Sequence, residues 1–309
     1  MKALVTGGAG FIGSSVVRVL LENNIEVKVI DNLSTGYIEN INGLEVEFLN
    51  ADILDLEKVK KVSKGVDYIF HLAAHIGNIK SLQNPQLDSQ VNVLGTINLL
   101  EAAKINNVKK IIYSSSAAIF GELLTPTIDE SHPQNPTSPY GISKLSAEKQ
   151  VLCFGKLYNF ETVCLRYFNV YGIHQRYDAY GNVIPIFANC IYSKKPITIF
   201  GDGNQTRDFI NSHDVAMINY RTAINDVNGV FNVGKGESIT INELARLVQE
   251  ASGISIKIEY ANSRLGEVIH CKADINRIKN IINYTPQIGI KNGLKEYFDW
   301  YSNNIKKDV

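Results

Sequence analysis

The chain has 309 residues, 31 Lys+Arg against 31 Asp+Glu for a formal net charge of +0, and 45% hydrophobic residues. That length holds one large unit or two smaller ones around a substantial core, and the even charge offers no global field for nucleic acid or an anionic membrane. No apolar run reaches the ~18–20 residues of a membrane span, and no signal peptide precedes the first strand, so a cytoplasmic protein is expected. Cys153, Cys164, Cys190 and Cys271 have neither disulfide-scaffold density nor metal-ligand spacing. We expect no metal, and the first three cysteines as small buried hydrophobes.

Lys2-Ala3-Leu4-Val5-Thr6 reads as a short buried strand, followed by Gly7-Gly8-Ala9-Gly10-Phe11-Ile12-Gly13 and a helix with an apolar period through Val16, Val17, Val19, Leu20 and Leu21. A second strand, Val27-Lys28-Val29-Ile30, ends at Asp31. In this β-α-β unit Gly7 turns the chain out of the strand and Gly10 lets backbone amides approach a pyrophosphate. Gly13 permits close packing of helix on sheet. Asp31 stands where a carboxylate grips the adenosine ribose and repels a 2′-phosphate, which favours NAD over NADP.

Strand and helix then alternate. Val46-Glu47-Phe48-Leu49 leads into Asn50-Ala51-Asp52-Ile53, with a helix over 56–62, a buried strand Tyr68 to Ala74 and a long helix from Val91 to Asn106. The strand Lys110 to Ser116, a helix from Tyr140 to Tyr158 and the strand Thr162 to Arg166 follow. Such alternation predicts an α/β fold, a doubly wound parallel sheet (Rossmann) with Gly7, Asp31, Ala73, Ser116 and Phe168 converging at its carboxyl edge. Pro126 to Pro139 reads as a surface loop. After Asn169 the pattern is irregular, except that Asp208 to Ala223 and Val230 to Val233 return to the main sheet. The expected division is a dinucleotide-binding domain of 1–169 plus about 208–234, and a smaller discontinuous C-terminal lobe of about 170–207 plus 235–309. The active cleft would lie between them.

Tyr140 and Lys144, four apart, share one helix face. A phenol of pKa about 10 is a poor base at neutral pH. A cation about 4 Å away, at an effective dielectric near 20, is worth roughly 4 kcal/mol, about 3 pKa units, and would make a tyrosinate available near neutral pH.

The glycine loop, Asp31, Asp52-Ile53, His71-Leu72-Ala73-Ala74, Ser114-Ser115-Ser116, Tyr140-x-x-x-Lys144 and Arg166-Tyr167-Phe168-Asn169 occur in one order. Together they resemble the extended short-chain dehydrogenase/reductase family, and most closely its nucleotide-sugar 4-epimerases of the UDP-glucose/UDP-galactose type, from Lys2 to about Asp274. The resemblance implies Tyr140 as base, Lys144 as its electrostatic partner and nicotinamide-ribose ligand, and Ser116 as a residue binding the reacting hydroxyl. It implies NAD contacts from Gly7, Gly10, Phe11, Ile12, Gly13, the stretch Asp31-Asn32-Leu33-Ser34-Thr35-Gly36, Asp52, Ile53, Leu72, Ala73, Ala74, Asn92, Ser114 and Phe168. On the UDP-sugar side it implies Asn169, Asn182, Val183, Thr198, Ile199, Phe200, Arg207, Arg264 and Glu267. It also implies a homodimer through helices near 86–105 and 140–157.

Several positions narrow the reaction. Family dehydratases carry an Asp-Glu pair just after the Ser116 position, where this chain has Ala117 and Ala118. Uronate epimerases typically show an arginine where this chain has Ile79, with Lys80 next, so a neutral hexose is favoured while Lys80 keeps a uronate open. Cys271 falls at the position beside the sugar 2-substituent, where small residues admit N-acetylated sugars. The expected activity is NAD-dependent 4-epimerisation of a UDP-hexose, UDP-glucose/UDP-galactose and also UDP-GlcNAc/UDP-GalNAc, through a 4-keto sugar. The alternatives are a UDP-glucuronate 4-epimerase or 4-keto reductase, and, more remotely, a non-catalytic dinucleotide-binding regulator.

Overall fold

A computed structural model describes residues 1–179, 181–263 and 269–304. The chain begins with β1 (Lys2–Thr6), α1 (Phe11–Glu22), β2 (Glu26–Asp31), β3 (Val46–Asn50), α2 (Leu56–Val62) and β4 (Tyr68–His71). Next come α3 (Asn78–Gln83) and α4 (Pro85–Ser89), then a π-helical turn over Gln90–Leu94 that continues into α5 (Gly95–Ile105). β5 (Lys110–Ser116), β6 (Thr127–Ile128), α6 (Pro139–Tyr158) and β7 (Glu161–Tyr167) complete the first half.

Seven strands make one sheet, in which β12 (Gly229–Val233) is the last to join and the order is β12-β7-β5-β4-β1-β2-β3, every pair parallel. Each central strand is buried on both faces, so its run is apolar throughout rather than alternating. Successive residues nevertheless face opposite layers. Ala3 and Val5 pack with Val16, Val17 and Leu20 of α1, whereas Leu4 packs with Val59 of α2, Leu99 and Leu100 of α5 and Val151 of α6. Full burial of a leucine such as Leu99 contributes about 2 kcal/mol. The expected doubly wound parallel sheet is what the structure has.

The remaining elements are β8 (Asn169–Tyr171), α7 (Val183–Tyr192), β9 (Ile197–Phe200), β10 (Thr206–Arg207), β11 (Phe209–Asn211) and α8 (Ser212–Ile224) before β12. After it come β13 (Ile239–Thr240), α9 (Ile241–Ser252), β14 (Ile258–Ala261), β15 (Lys272–Ala273), α10 (Asn276–Ile282) and α11 (Ile290–Asn304). Residues of α7, β9, α9 and α11 build a third apolar cluster around Phe187, Leu244, Val248, Tyr297 and Phe298. α10 belongs elsewhere: Ile278 and Ile282 join the α1 face of the main sheet.

Three local expectations need correction. The β4 strand stops at His71 rather than running to Ala74, because the Ala73 amide turns to Thr6 Oγ1 at 3.1 Å and leaves the ladder. The segment 126–139 is more than a surface loop: β6 pairs with β15, Ile128 is fully buried and His132 is buried. Cys164 is buried, but Cys153 is exposed and Cys190 only half-buried. Cys153 sits on the outer face of α6 together with Ile142 and Leu157, away from the sheet.

Candidate active site

The carboxyl ends of β1, β2, β4 and β5 carry the site, as the right-handed crossovers of a doubly wound sheet require. Gly7 adopts φ +70°, and a Cβ there would lie 2.7 Å from the Ala73 nitrogen. At Gly13 a Cβ would lie 2.0 Å from the Gly7 carbonyl oxygen, so the first turn of α1 rests directly on the loop. No side chain caps α1 and its first turn holds no acidic residue, whereas α6, α8 and α9 are capped by Ser138, Asn211 and Thr240. The amides of Phe11, Ile12 and Gly13 therefore face the loop as donors at the positive end of a helix dipole, which fits a pyrophosphate.

Asp31 ends β2 beside the glycine loop. Its Oδ2 accepts from the Ala9 amide at 3.0 Å and its Oδ1 from the Leu33 amide at 2.8 Å. Gly36 backs onto the same carboxylate, where a Cβ would lie 3.0 Å from either oxygen. Burial pushes the Asp31 carboxyl up, and the two amide bonds oppose that rise. Asn32 donates to Asp52 Oδ2 at 2.8 Å, and Ser34 donates its amide to Asn32 Oδ1 at 3.0 Å, so the residues expected around the adenosine gather here. Ile53 is a core residue whose Cδ1 packs on Gly95.

Ser138 starts α6 by accepting from the Gly141 amide at 3.1 Å, with Pro139 in the first turn. This start sets Tyr140 half-buried and Lys144, one turn on, 3% exposed. Lys144 Nζ stands 4.5 Å from the centroid of the Tyr113 ring. Ser116, the last residue of β5, acts on the Tyr140 phenol to lower its pKa and accepts from the Ala118 amide at 3.1 Å.

The electrostatics reverse one expectation. Burial pushes the Tyr140 phenol above its ordinary range, the Ser116 hydroxyl lowers it, and Asp88 raises it. Burial also drives the Lys144 ammonium down to about 7, against the upward pull of Asp88, Cys164 and Glu148. Burial thus works against the charge on Lys144, which does not by itself make a tyrosinate available.

Other expected residues divide. Asn92 is turned into the protein: it donates to His75 O at 2.9 Å, Asp88 Oδ1 at 3.2 Å and Ser143 Oγ at 3.0 Å, and accepts from the His75 amide at 2.8 Å. Ser114 is buried, and Leu72, Ala73 and Ala74 line the loop after β4 half-buried. Phe168 and Cys271 are buried in a small apolar cluster against which Ala117 packs. Asn169 donates to the Asp208 carbonyl at 3.0 Å. α7 begins at Asn182–Val183 without a side-chain cap, a second set of outward amides. Thr198 is exposed and Phe200 half-buried, but Ile199 is buried in the third cluster and presents no side chain to a ligand. Arg207 donates to the Thr206 carbonyl at 2.9 Å. Arg264 and Glu267 lie outside the described residues.

Two features went unread in the sequence. Glu148 continues the face of Tyr140 and Lys144 by one more turn and is fully buried against Arg166. Asp88, four residues before Asn92 on the next helix, is likewise fully buried. The fourfold spacing was a signal for both.

These features meet a family model. Residues 3–234 match the model of the NAD dependent epimerase/dehydratase family. The chain belongs to that family. Its cofactor is NAD and it is an isomerase of the epimerase type. A relative from Methanocaldococcus jannaschii, provisionally named UDP-glucose 4-epimerase, is 42% identical over 303 residues, covering 97% of this chain and 98% of the relative. A UDP-glucuronate 4-epimerase of Thermodesulfobacterium geofontis is 34% identical over 315 residues, with 98% and 97% covered. The solved UDP-N-acetylglucosamine 4-epimerase of Methanobrevibacter ruminantium, in complex with UDP-N-acetylmuramic acid, superposes with a TM-score of 0.94 at 36% identity, covering 98% of this chain and 99% of that one.

Proposed function

We propose that this epimerase inverts C4 of a UDP-hexose, UDP-glucose/UDP-galactose and their N-acetylated counterparts. The observation that carries this reading is the juxtaposition of Tyr140, Ser116 and Lys144 at the carboxyl end of β5, followed by Ala117 and Ala118. Alanines offer no second acid or base, so proton transfer at one carbinol is the chemistry this site can perform.

NAD, when bound, would supply a reversible hydride acceptor for C4, and the 4-keto sugar would turn in the site between the two transfers so that its other face is reduced. Tyr140 would act as base toward the sugar 4-hydroxyl, its deprotonation aided by the Ser116 hydroxyl, and would later return the proton to the 4-keto oxygen. Ser116, whose hydroxyl acts on the Tyr140 phenol, would hold that oxygen between the two transfers and bridge the proton. Lys144 supplies positive charge beneath the phenol and reaches for the nicotinamide ribose. The outward amides of α7 at Asn182–Val183 and the Arg207 guanidinium would hold the diphosphate.

Lys80 bears on the uronate alternative. Its ammonium pairs with Asp178, so a uronate carboxylate would have to displace an anion already in place. This supports a neutral sugar. The small Cys271 beside Phe168 supports tolerance of an acetamido group.

A homodimer is part of the same reading. Leu87, Leu94 and Ile105 along α4 and α5, and Ile142, Cys153 and Leu157 along α6, are exposed apolar side chains on adjacent helices.

The deciding experiment incubates the purified protein, without added cofactor, with UDP-glucose, UDP-GlcNAc and UDP-glucuronate and resolves the epimers. Conversion of the first two, with NAD released on denaturation, supports the proposal. Conversion of UDP-glucuronate alone, or a requirement for added reduced cofactor, rejects it.

A further inference from the structure

Behind the reacting pair lies a buried carboxylate that the mechanism above does not use. Asp88 is in the last turn of α4, 0% exposed, directly before the π-helical turn of Gln90–Leu94. Isolated π turns within helices recur at functional sites. Asp88 Oδ1 receives Asn92 Nδ2 at 3.2 Å and stands 3.3 Å from His75 Nδ1, while Oδ2 has no hydrogen-bond partner among the described residues. A buried carboxylate so poorly satisfied costs stability and calls for a reason.

The surroundings supply one. The charge on Lys144 responds to Asp88 of α4, Glu148 of its own helix and Cys164 of β7, none of which forms an ion pair with it, and lies near the Tyr113 ring of β5 and His71 of β4. His71 is driven down to about 3 by burial and is neutral at working pH. Burial pushes the Cys164 thiol and the Tyr113 phenol up, so both stay neutral as well. Glu148 is held by the Arg166 guanidinium at 2.7 and 3.1 Å, which offsets its charge. Among the described residues Asp88 pairs with no arginine or lysine, only with the His75 imidazole at 3.3 Å, which leaves it as the negative charge near Lys144. Its Asn92 contact leads on to Ser143, between Tyr140 and Lys144 on α6.

We propose that Asp88 is a positioning residue for the reaction: the buried counter-charge that keeps the Lys144 ammonium protonated in a solvent-excluded site, and the anchor of the Asn92 amide that braces α6 through Ser143. The burial that lowers Lys144 and the carboxylate that raises it work against each other at one atom. Asp88 thereby sets the fraction of protein with a charged lysine beneath Tyr140. The inference rests on the reading of Tyr140 and Lys144 as the reacting pair.

The test follows the Lys144 side chain itself, in the protein as purified and labelled with 13Cε-lysine, the resonance being identified by its loss in Lys144→Met. Asp88→Asn keeps the shape and removes the charge. It should lower the Lys144 titration midpoint by about one pH unit or more, the scale of one nearby opposite charge, and Asp88→Glu should restore it. The alkaline limb of kcat/KM against pH should move the same way. A midpoint within 0.3 unit of wild type in Asp88→Asn overturns the proposal, as does a loss of activity that is uniform across pH. If Asp88→Asn does not fold, Asp88→Ser takes its place. If neither neutral variant folds while Asp88→Glu does, the role is structural and the proposal falls. The lysine titration needs no substrate, so a wild-type protein inactive on UDP-hexoses would sink the functional assignment without touching this result.

Discussion

Arg166 on β7 grips Glu148 on α6 through Nε at 3.1 Å and Nη2 at 2.7 Å, with both residues at most 1% exposed. Ser115 adds a hydrogen bond to the same carboxylate at 2.6 Å, and Arg166 Nη1 donates to the Glu130 carbonyl at 2.9 Å. One ion pair thus clamps the Tyr140 helix to the sheet strand that leads into Phe168. Removing one partner leaves an uncompensated buried charge. Arg166→Met should therefore destabilise the protein by about 3–5 kcal/mol, measured by denaturant unfolding, and Arg166→Met with Glu148→Leu by clearly less. Equal losses would show that packing, not charge, holds the clamp.

Lys144 makes stability depend on pH in a defined sense. Its folded-state value, about 7, lies below the 10.5 of the free side chain. The folded protein therefore carries a cost that is fully present below about pH 7 and fades as pH rises toward 10.5, on the order of 5 kcal/mol at its largest. In cofactor-free protein, Lys144→Met should raise Tm at pH 6 more than at pH 10. The same gain at both pH values would contradict the depressed ammonium.

Tyr140→Phe should lower turnover of the UDP-hexose by about 10²–10⁴-fold, the usual share of a general acid–base group. NAD should remain bound, read as cofactor released on denaturation. Near-full turnover would remove Tyr140 from the chemistry.

Gly13→Ala places a methyl 2.0 Å from the Gly7 carbonyl oxygen and 2.9 Å from Gly8 Cα, both backbone atoms with little room to yield. The expected result is a loss of about 1–3 kcal/mol in thermal or chemical unfolding, with NAD no longer retained through purification. Retention at the wild-type level would show that α1 can lift from the loop without harm.

Cys271→Tyr fills the apolar cluster shared with Phe168 and Ala117. We expect kcat/KM for UDP-GlcNAc to fall by about 10²-fold, with UDP-glucose changed only a few-fold, from assays of the two substrates side by side. A parallel fall in both would mean that Cys271 serves the core alone.

Local pattern determined much of this protein. The apolar runs of β1, β4, β5 and β7, the glycine turn before α1 and the Tyr140–Lys144 spacing are properties of neighbouring residues, and period and turn chemistry read them directly. Tertiary structure decided what depends on distance through space. It turned Asn92 away from the ligand side and into a brace between His75, Asp88 and Ser143. It exposed Cys153 by rotating it off the sheet, paired Lys80 with Asp178, and bound residues 127–128 to β15. Most tellingly, it set the charge of Lys144. A helical repeat can bring phenol and ammonium to one face, but the water that would solvate the charge is excluded by β4, β5 and β7, which come from elsewhere in the chain, and desolvation outweighs what the four-residue spacing alone suggests.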